Sequence, residues 1–137
     1  MVDEVRKGLQ TPTQSVVLPY EETFGDDAIK IYNKSRKKLM EWQELLIRDV
    51  LAIRPDGLFT HQKFGIAIPR RNGKSELVIA IVLWALKQGY KTMYTAHRSQ
   101  TSRSIWERTL EILLEIGHTE DDFKLGKQFG MEYITDK

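Results

Sequence analysis

Cysteine is absent from the chain, which excludes disulfides and thiolate metal sites and suits a reducing compartment. A large charge of one sign is absent too, since 21 lysines and arginines against 19 acidic residues leave a net charge of +2. A general basic field that draws a whole protein onto nucleic acid is thereby excluded, and any such contact is local. The longest apolar run, Leu77–Leu86, is too short to span a bilayer. The opening Met-Val-Asp-Glu starts no signal-peptide-like apolar region. His61, His97 and His118 show no metal-ligand spacing. Internal repeats and low-complexity segments are missing as well. What remains is the profile of a soluble, cytosolic protein, 41% hydrophobic and 29% charged. At 137 residues it is one domain or part of one, long enough for a real core.

The most informative stretch is Ile66–Ser75, which ends in Gly73-Lys74-Ser75. A short apolar run, Phe64–Ile68, precedes it, and the apolar segment Glu76–Leu86 follows. Strand, loop and helix in that order are the context of a phosphate-binding loop. Successive backbone N–H groups and the start of a helix favour a polyphosphate there. Gly73 permits close approach of the backbone, Lys74 offers a point charge to the β- and γ-phosphates, and the Ser75 hydroxyl suits Mg²⁺. The general pattern places a glycine where this chain has Ile68. The Arg70-Arg71 doublet suits a γ-phosphate or an acidic relay residue; its alternative is a solvated turn.

Around that loop the chain divides into an arm with a helix, residues 1–38, and a larger segment, residues 39–137. Pro12 and Pro19 break the arm, and Ser15–Leu18 reads as an edge strand or an extended arm. Asp26 or Asp27 is expected to cap a helix carrying Ala28, Ile31 and Tyr32. The basic run Lys34–Lys38 then complements the helix dipole or touches a phosphate backbone. Leu39–Ile53 is expected to be helical, with Trp42, Leu45, Leu46, Val50 and Ile53 as its stripe and Arg54–Gly57 as the following turn. Gln43, near the start of that helix, offers the donor and acceptor that an adenine edge requires. Its alternative is an exposed helical glutamine.

Phe64–Ile68 alternates large and small residues as in a strand buried on both faces, and Lys91–Ala96 reads as a second strand. With the helix between them, closed by Gly89, they predict a right-handed βαβ unit over Phe64–Ala96. A further helix is expected to run to Ile116, buried along Ile105, Trp106, Leu110 and Leu113 and ended by Gly117. His97, Arg98, Gln100 and Arg103 lead into it, placed to meet nucleic-acid phosphates or simply to decorate a helix start. Thr119–Asp122 resembles a capping box, and Phe129–Ile134 reads as a final strand. No apolar strand ends in the acidic residue that would hold water around Mg²⁺.

Taken together, these segments resemble the N-terminal part of the ATPase domain of tailed-phage large terminase subunits, the motors that package DNA. The lead-in Thr11–Tyr20, the Trp42-Gln43 helix, the loop Pro69-Arg70-Arg71-Asn72-Gly73-Lys74-Ser75 and the segment Thr95–Gln100 carry the resemblance in order. It covers most of the chain, and it accommodates Ile68, because the family's Walker A loop replaces the first glycine. The resemblance implies an α/β fold, a P-loop NTPase-type parallel sheet flanked by helices. The chain would hold its N-terminal half, preceded by an N-terminal helical segment.

It also implies an ATPase that uses ATP and Mg²⁺ to drive double-stranded DNA into procapsids, with an endonuclease elsewhere in the family's full length. By motif, Gln43 would contact adenine and Arg70 the γ-phosphate. Lys74 would bind the β- and γ-phosphates, and Ser75 would hold Mg²⁺. Pro69, Arg71, Asn72 and Gly73 would complete the cradle. The implied partners are double-stranded DNA, the portal protein and the small terminase subunit, in a ring oligomer within the bacterial host cytoplasm, with no membrane. Walker B and the nuclease carboxylates are expected beyond Lys137, so the chain alone is expected to bind nucleotide weakly without turnover. A fragment of a superfamily-2-like helicase or other P-loop NTPase, and a non-catalytic remnant, are the alternatives.

Overall fold

The computed structural model describes residues 8–70, 72–118, 123–126 and 133–136. Among the described residues the fold is built on four helices, α1 (Gly25–Tyr32), α2 (Glu41–Val50), α3 (Lys74–Lys87) and α4 (Ser99–Glu115). Two small antiparallel pairs accompany them: β1 (Glu22–Thr23) with β2 (Ala52–Ile53), and β3 (Phe123–Gly126) with β4 (Tyr133–Asp136). The α3 helix is the hub and packs against α1, α2 and α4. Its apolar character on all sides is what makes this possible, because three helices cover different faces of it. Leu77, Ile79, Ala80, Leu83, Trp84 and Ala85 are buried there, joined by Ala28, Ile29 and Tyr32 of α1, Ile47 of α2, and Ile105, Ile112 and Leu113 of α4.

The expected parallel sheet is not seen. Every strand pair among the described residues is antiparallel, and neither 64–68 nor 91–96 forms a strand. A parallel ladder needs two extended segments side by side with cover on both faces. Here Phe64, Ile66 and Ile68 are half-buried while Gly65 and Ala67 face solvent, so only one side is covered. Along 91–96 only Tyr94 is half-buried, and Met93 is 86% exposed. The helices α1, α2 and α4 cover much of the apolar surface of α3, and Phe24, Phe59 and Tyr90, outside the helices, pack against its Trp84. The right-handed βαβ unit over Phe64–Ala96 falls with the sheet.

Other local expectations meet specific corrections. The second helix ends at Val50, because Ala52 and Ile53 leave it to pair with Thr23 and Glu22. Its most buried apolar residue is Ile47, outside the expected stripe, while Trp42, Leu45, Leu46 and Val50 are half-buried. Neither Asp26 nor Asp27 caps α1: both sit in its first turn, and the Thr23 hydroxyl accepts from the Gly25 N–H at 3.0 Å. In α4, Ile105 and Leu113 are buried as expected, but Thr109 and Ile112 are the others, with Trp106 and Leu110 only half-buried. Gly89, in a left-handed conformation, closes α3 as expected, and the Tyr90 N–H reaches back to the Ala85 carbonyl. The Thr119–Asp122 capping box lies outside the described residues. Of the expected strand Phe129–Ile134, only Tyr133 and Ile134 are described, within β4. No helix among the described residues is long and apolar enough to cross a membrane.

Residues 8–20 form an extended arm with no regular structure apart from bends, Val16 fully exposed along it. Two contacts fasten its end. The Leu18 N–H donates to His61 Nε2 at 3.2 Å, and the Tyr20 hydroxyl donates to the buried Asp49 carboxylate at 2.7 Å. Burial, then the bond to Asp49, pushes the Tyr20 phenol up to about 12. The folded chain therefore keeps this proton to higher pH than the unfolded chain, whose phenol titrates near 10. Its contribution is complete below pH ~10 and is lost as pH rises through 10 towards 12. Urea unfolding at increasing pH is expected to show that decline, and Tyr20→Phe to lessen it. At neutral pH the same substitution is expected to cost about 1 kcal/mol, the worth of one hydrogen bond.

Candidate functional site

The junction at Gly73 is built by its neighbours in the chain. Gly73 has φ +88°, a left-handed conformation that side chains other than glycine's rarely adopt, and α3 starts at the next residue. The Gly73 carbonyl accepts from Leu77 N–H as the first intrahelical acceptor. The N–H groups of Lys74, Ser75 and Glu76 therefore precede any helical acceptor and face outward from the helix start. Before the junction, the Asn72 side-chain amide donates to the Pro69 carbonyl at 3.1 Å and the Arg70 carbonyl at 3.4 Å, curling the loop on itself. Pro69, Arg70, Asn72, Lys74 and Ser75 are all exposed. Arg71 lies outside the described residues. The structure thus brings a left-handed glycine, a helix start, two exposed cations and a hydroxyl into one short loop.

Gln43 reaches this loop from α2. Its Nε2 donates to the Gly73 carbonyl at 2.8 Å, and its Oε1 accepts the Met40 N–H, also at 2.8 Å. The residue is only 4% exposed, so the reading of an exposed helical glutamine does not hold.

Glu76, in the first turn of α3, is fastened from two sides. One carboxylate oxygen accepts from Arg108 Nε of α4 at 3.1 Å, and the other accepts from the Tyr32 hydroxyl of α1. Burial, then the bond to Glu76, raises the Tyr32 phenol above its ordinary value. Burial works against the Arg108 charge, but hydrogen bonds to Glu76 and Glu111 outweigh it and raise the guanidinium further. Sequence reasoning missed this cluster. Its visible signal is a glutamate directly after Gly-Lys-Ser, together with an arginine flanked by Glu107, Glu111 and Glu115.

The four residues read as nucleic-acid contacts also come together. His97, Arg98, Gln100 and Arg103, with Ser99, Ser104 and Glu107, line an open concavity of about 790 Å³ at the start of α4. Arg103 pairs with Glu107 at 3.3 Å, so the concavity is less positive than its basic residues alone suggest. Arg108, one turn beyond Ser104, connects α4 to the loop helix through Glu76. Among the described residues, no group of acidic or histidine side chains is arranged to hold a metal ion. Comparison with known proteins finds no family model, curated protein or solved structure that matches the chain.

Proposed function

We propose that the Pro69–Ser75 loop binds the phosphates of Mg-ATP, and that the chain is the nucleotide-binding part of a DNA-packaging motor of the large-terminase kind. The observation that carries the reading is the left-handed Gly73 set against the start of α3, with Lys74 and Ser75 exposed beside it. A polyphosphate there meets outward N–H groups, the positive end of a 14-residue helix and the Lys74 ammonium. Arg70, on the exposed side of the loop, suits the terminal phosphate. Ser75 would hold Mg²⁺ through its hydroxyl, and because Mg²⁺ is commonly bound by few protein ligands together with waters and substrate phosphates, an acidic cage is not required. The His97, Arg98, Gln100 and Arg103 concavity supports a phosphate-backbone contact with double-stranded DNA.

Binding without turnover is the expectation for this chain. Hydrolysis needs a group to orient the attacking water, and the carboxylate nearest Lys74 in sequence, Glu76, is held by Arg108 and Tyr32.

Calorimetric titration of Mg-ATP into the parent chain and into Lys74→Ala tests the reading. Loss of a charge-assisted contact is expected to weaken binding about tenfold or more. Equal affinity of the two chains, or no binding by a cooperatively folded parent, overturns it.

A further inference from the structure

We propose that Gln43 is the positioning residue of this loop, holding the Gly73 carbonyl so that the first amide of α3 faces a bound phosphate. The proposal rests on reading Pro69–Ser75 as a phosphate loop. A trans peptide is planar, with its C=O and N–H pointing in opposite directions. The Gly73 oxygen and the Lys74 N–H belong to one such plane. Fixing the oxygen from the α2 side therefore fixes the N–H on the other side. Two donors hold that oxygen, and Gln43 Nε2 at 2.8 Å is closer than Leu77 N at 3.4 Å.

The fit between the two residues is close. A Cβ placed on Gly73 would lie 2.7 Å from Gln43 Nε2 and 3.8 Å from Trp42 Cζ2. The glutamine thus stands where any other residue at 73 would put its side chain. Its own aim is fixed at the far end, because Oε1 accepts the Met40 N–H at 2.8 Å and so leaves Nε2 directed at the loop. With the residue 4% exposed, the amide reaches the loop from within the protein. These two bonds use one N–H and one lone pair of the amide, and with the residue so buried the remaining N–H and lone pair are not presented at the surface to an adenine edge. Positioning and base reading therefore predict different patterns of loss.

Gln43→Glu separates them. The carboxylate still accepts from Met40 but cannot donate to Gly73, and it repels that carbonyl. Titration with Mg-ATP, Mg-GTP and Mg-tripolyphosphate is expected to show about tenfold weaker binding for all three alike. A loss confined to ATP, or no loss, overturns the proposal.

Hydrogen exchange on the ligand-free chains judges the tether without any nucleotide. Amides of residues 73–77 are expected to exchange faster in Gln43→Glu, while residues 81–87 keep their parental rates. Gln43→Met, which has no donor and a similar volume, is expected to repeat the effect. Unchanged exchange in both variants, or an increase spread over the whole chain, overturns the proposal. A parent that binds none of the three ligands removes the phosphate-loop reading itself, and exchange still decides whether Gln43 holds Gly73.

Discussion

Glu76→Ala is expected to destabilise the fold by about 3 kcal/mol, because the carboxylate is the acceptor on which two other helices converge. Arg108 of α4 and Tyr32 of α1 both donate to it. Tyr32 is 1% exposed, so its hydroxyl is left without that acceptor in a place water scarcely reaches. Leaving a buried donor unpaired costs about 1–3 kcal/mol. Arg108 keeps Glu111 at 3.1 Å and Glu115 at 3.9 Å, which softens its share of the loss. The side chains of Glu76 and Arg108 are 22% and 20% exposed, and that partial access to water places the total at the lower end of the range for broken buried pairs. Glu76→Gln retains an oxygen for one donor and should cost about half as much. Urea unfolding checks both substitutions, read at an unchanged dependence on denaturant. If Glu76→Ala unfolds within about 0.5 kcal/mol of the parent, the cluster contributes no more than an ordinary surface residue.

A continuous apolar run is enough to place α3 and a helical apolar stripe to place α4, because each is long and each is followed by a glycine that turns left-handed. The same kind of stripe misplaces the end of α2. Ala52 and Ile53 continue the apolar pattern of a helix, yet they pair with Thr23 and Glu22, 29 and 31 positions earlier in the chain. Pairing depends on a distant partner, and local pattern carries no record of it. The same reason undoes the parallel sheet. An alternating run such as Phe64–Ile68 is satisfied as well by lying one-sided on a core as by sitting between two strands. The sequence distinguishes those outcomes only if it also shows what would cover the second face.

At the loop, residue types are more telling than fold. Gly73, Lys74 and Ser75 sit at a helix start, as the strand–loop–helix reading requires of its second half. Gln43 stands out only through the Gly73-Lys74-Ser75 loop that follows it, since a helical glutamine by itself is ordinarily a solvated one. Its contact with Gly73 is not legible, because it joins residues thirty positions apart through side-chain geometry. Glu76 is harder still. A glutamate in a first helical turn is ordinary dipole chemistry, and only the approach of α1 and α4 makes it an anchor.

Leu83→Ala is expected to cost about 4 kcal/mol. Leu83 is wholly buried in the third turn of α3, the helix on which α1, α2 and α4 pack. Truncation removes the transfer energy of the lost carbons and leaves a cavity that three packed helices cannot easily close. Val82, the preceding residue, is only half-buried on the same helix, and Val82→Ala should cost about 1 kcal/mol. The contrast isolates the direction of burial, since helix propensity changes in the same favourable sense for both substitutions. A domain is stable by about 5–15 kcal/mol in total, so the Leu83 variant should unfold at much lower urea, and its folded population should fall steeply on warming. Equal costs at the two positions would mean that Leu83 is no better packed than Val82. A cost several-fold larger at Leu83 than at Val82 is what an interior helix packed by three others requires.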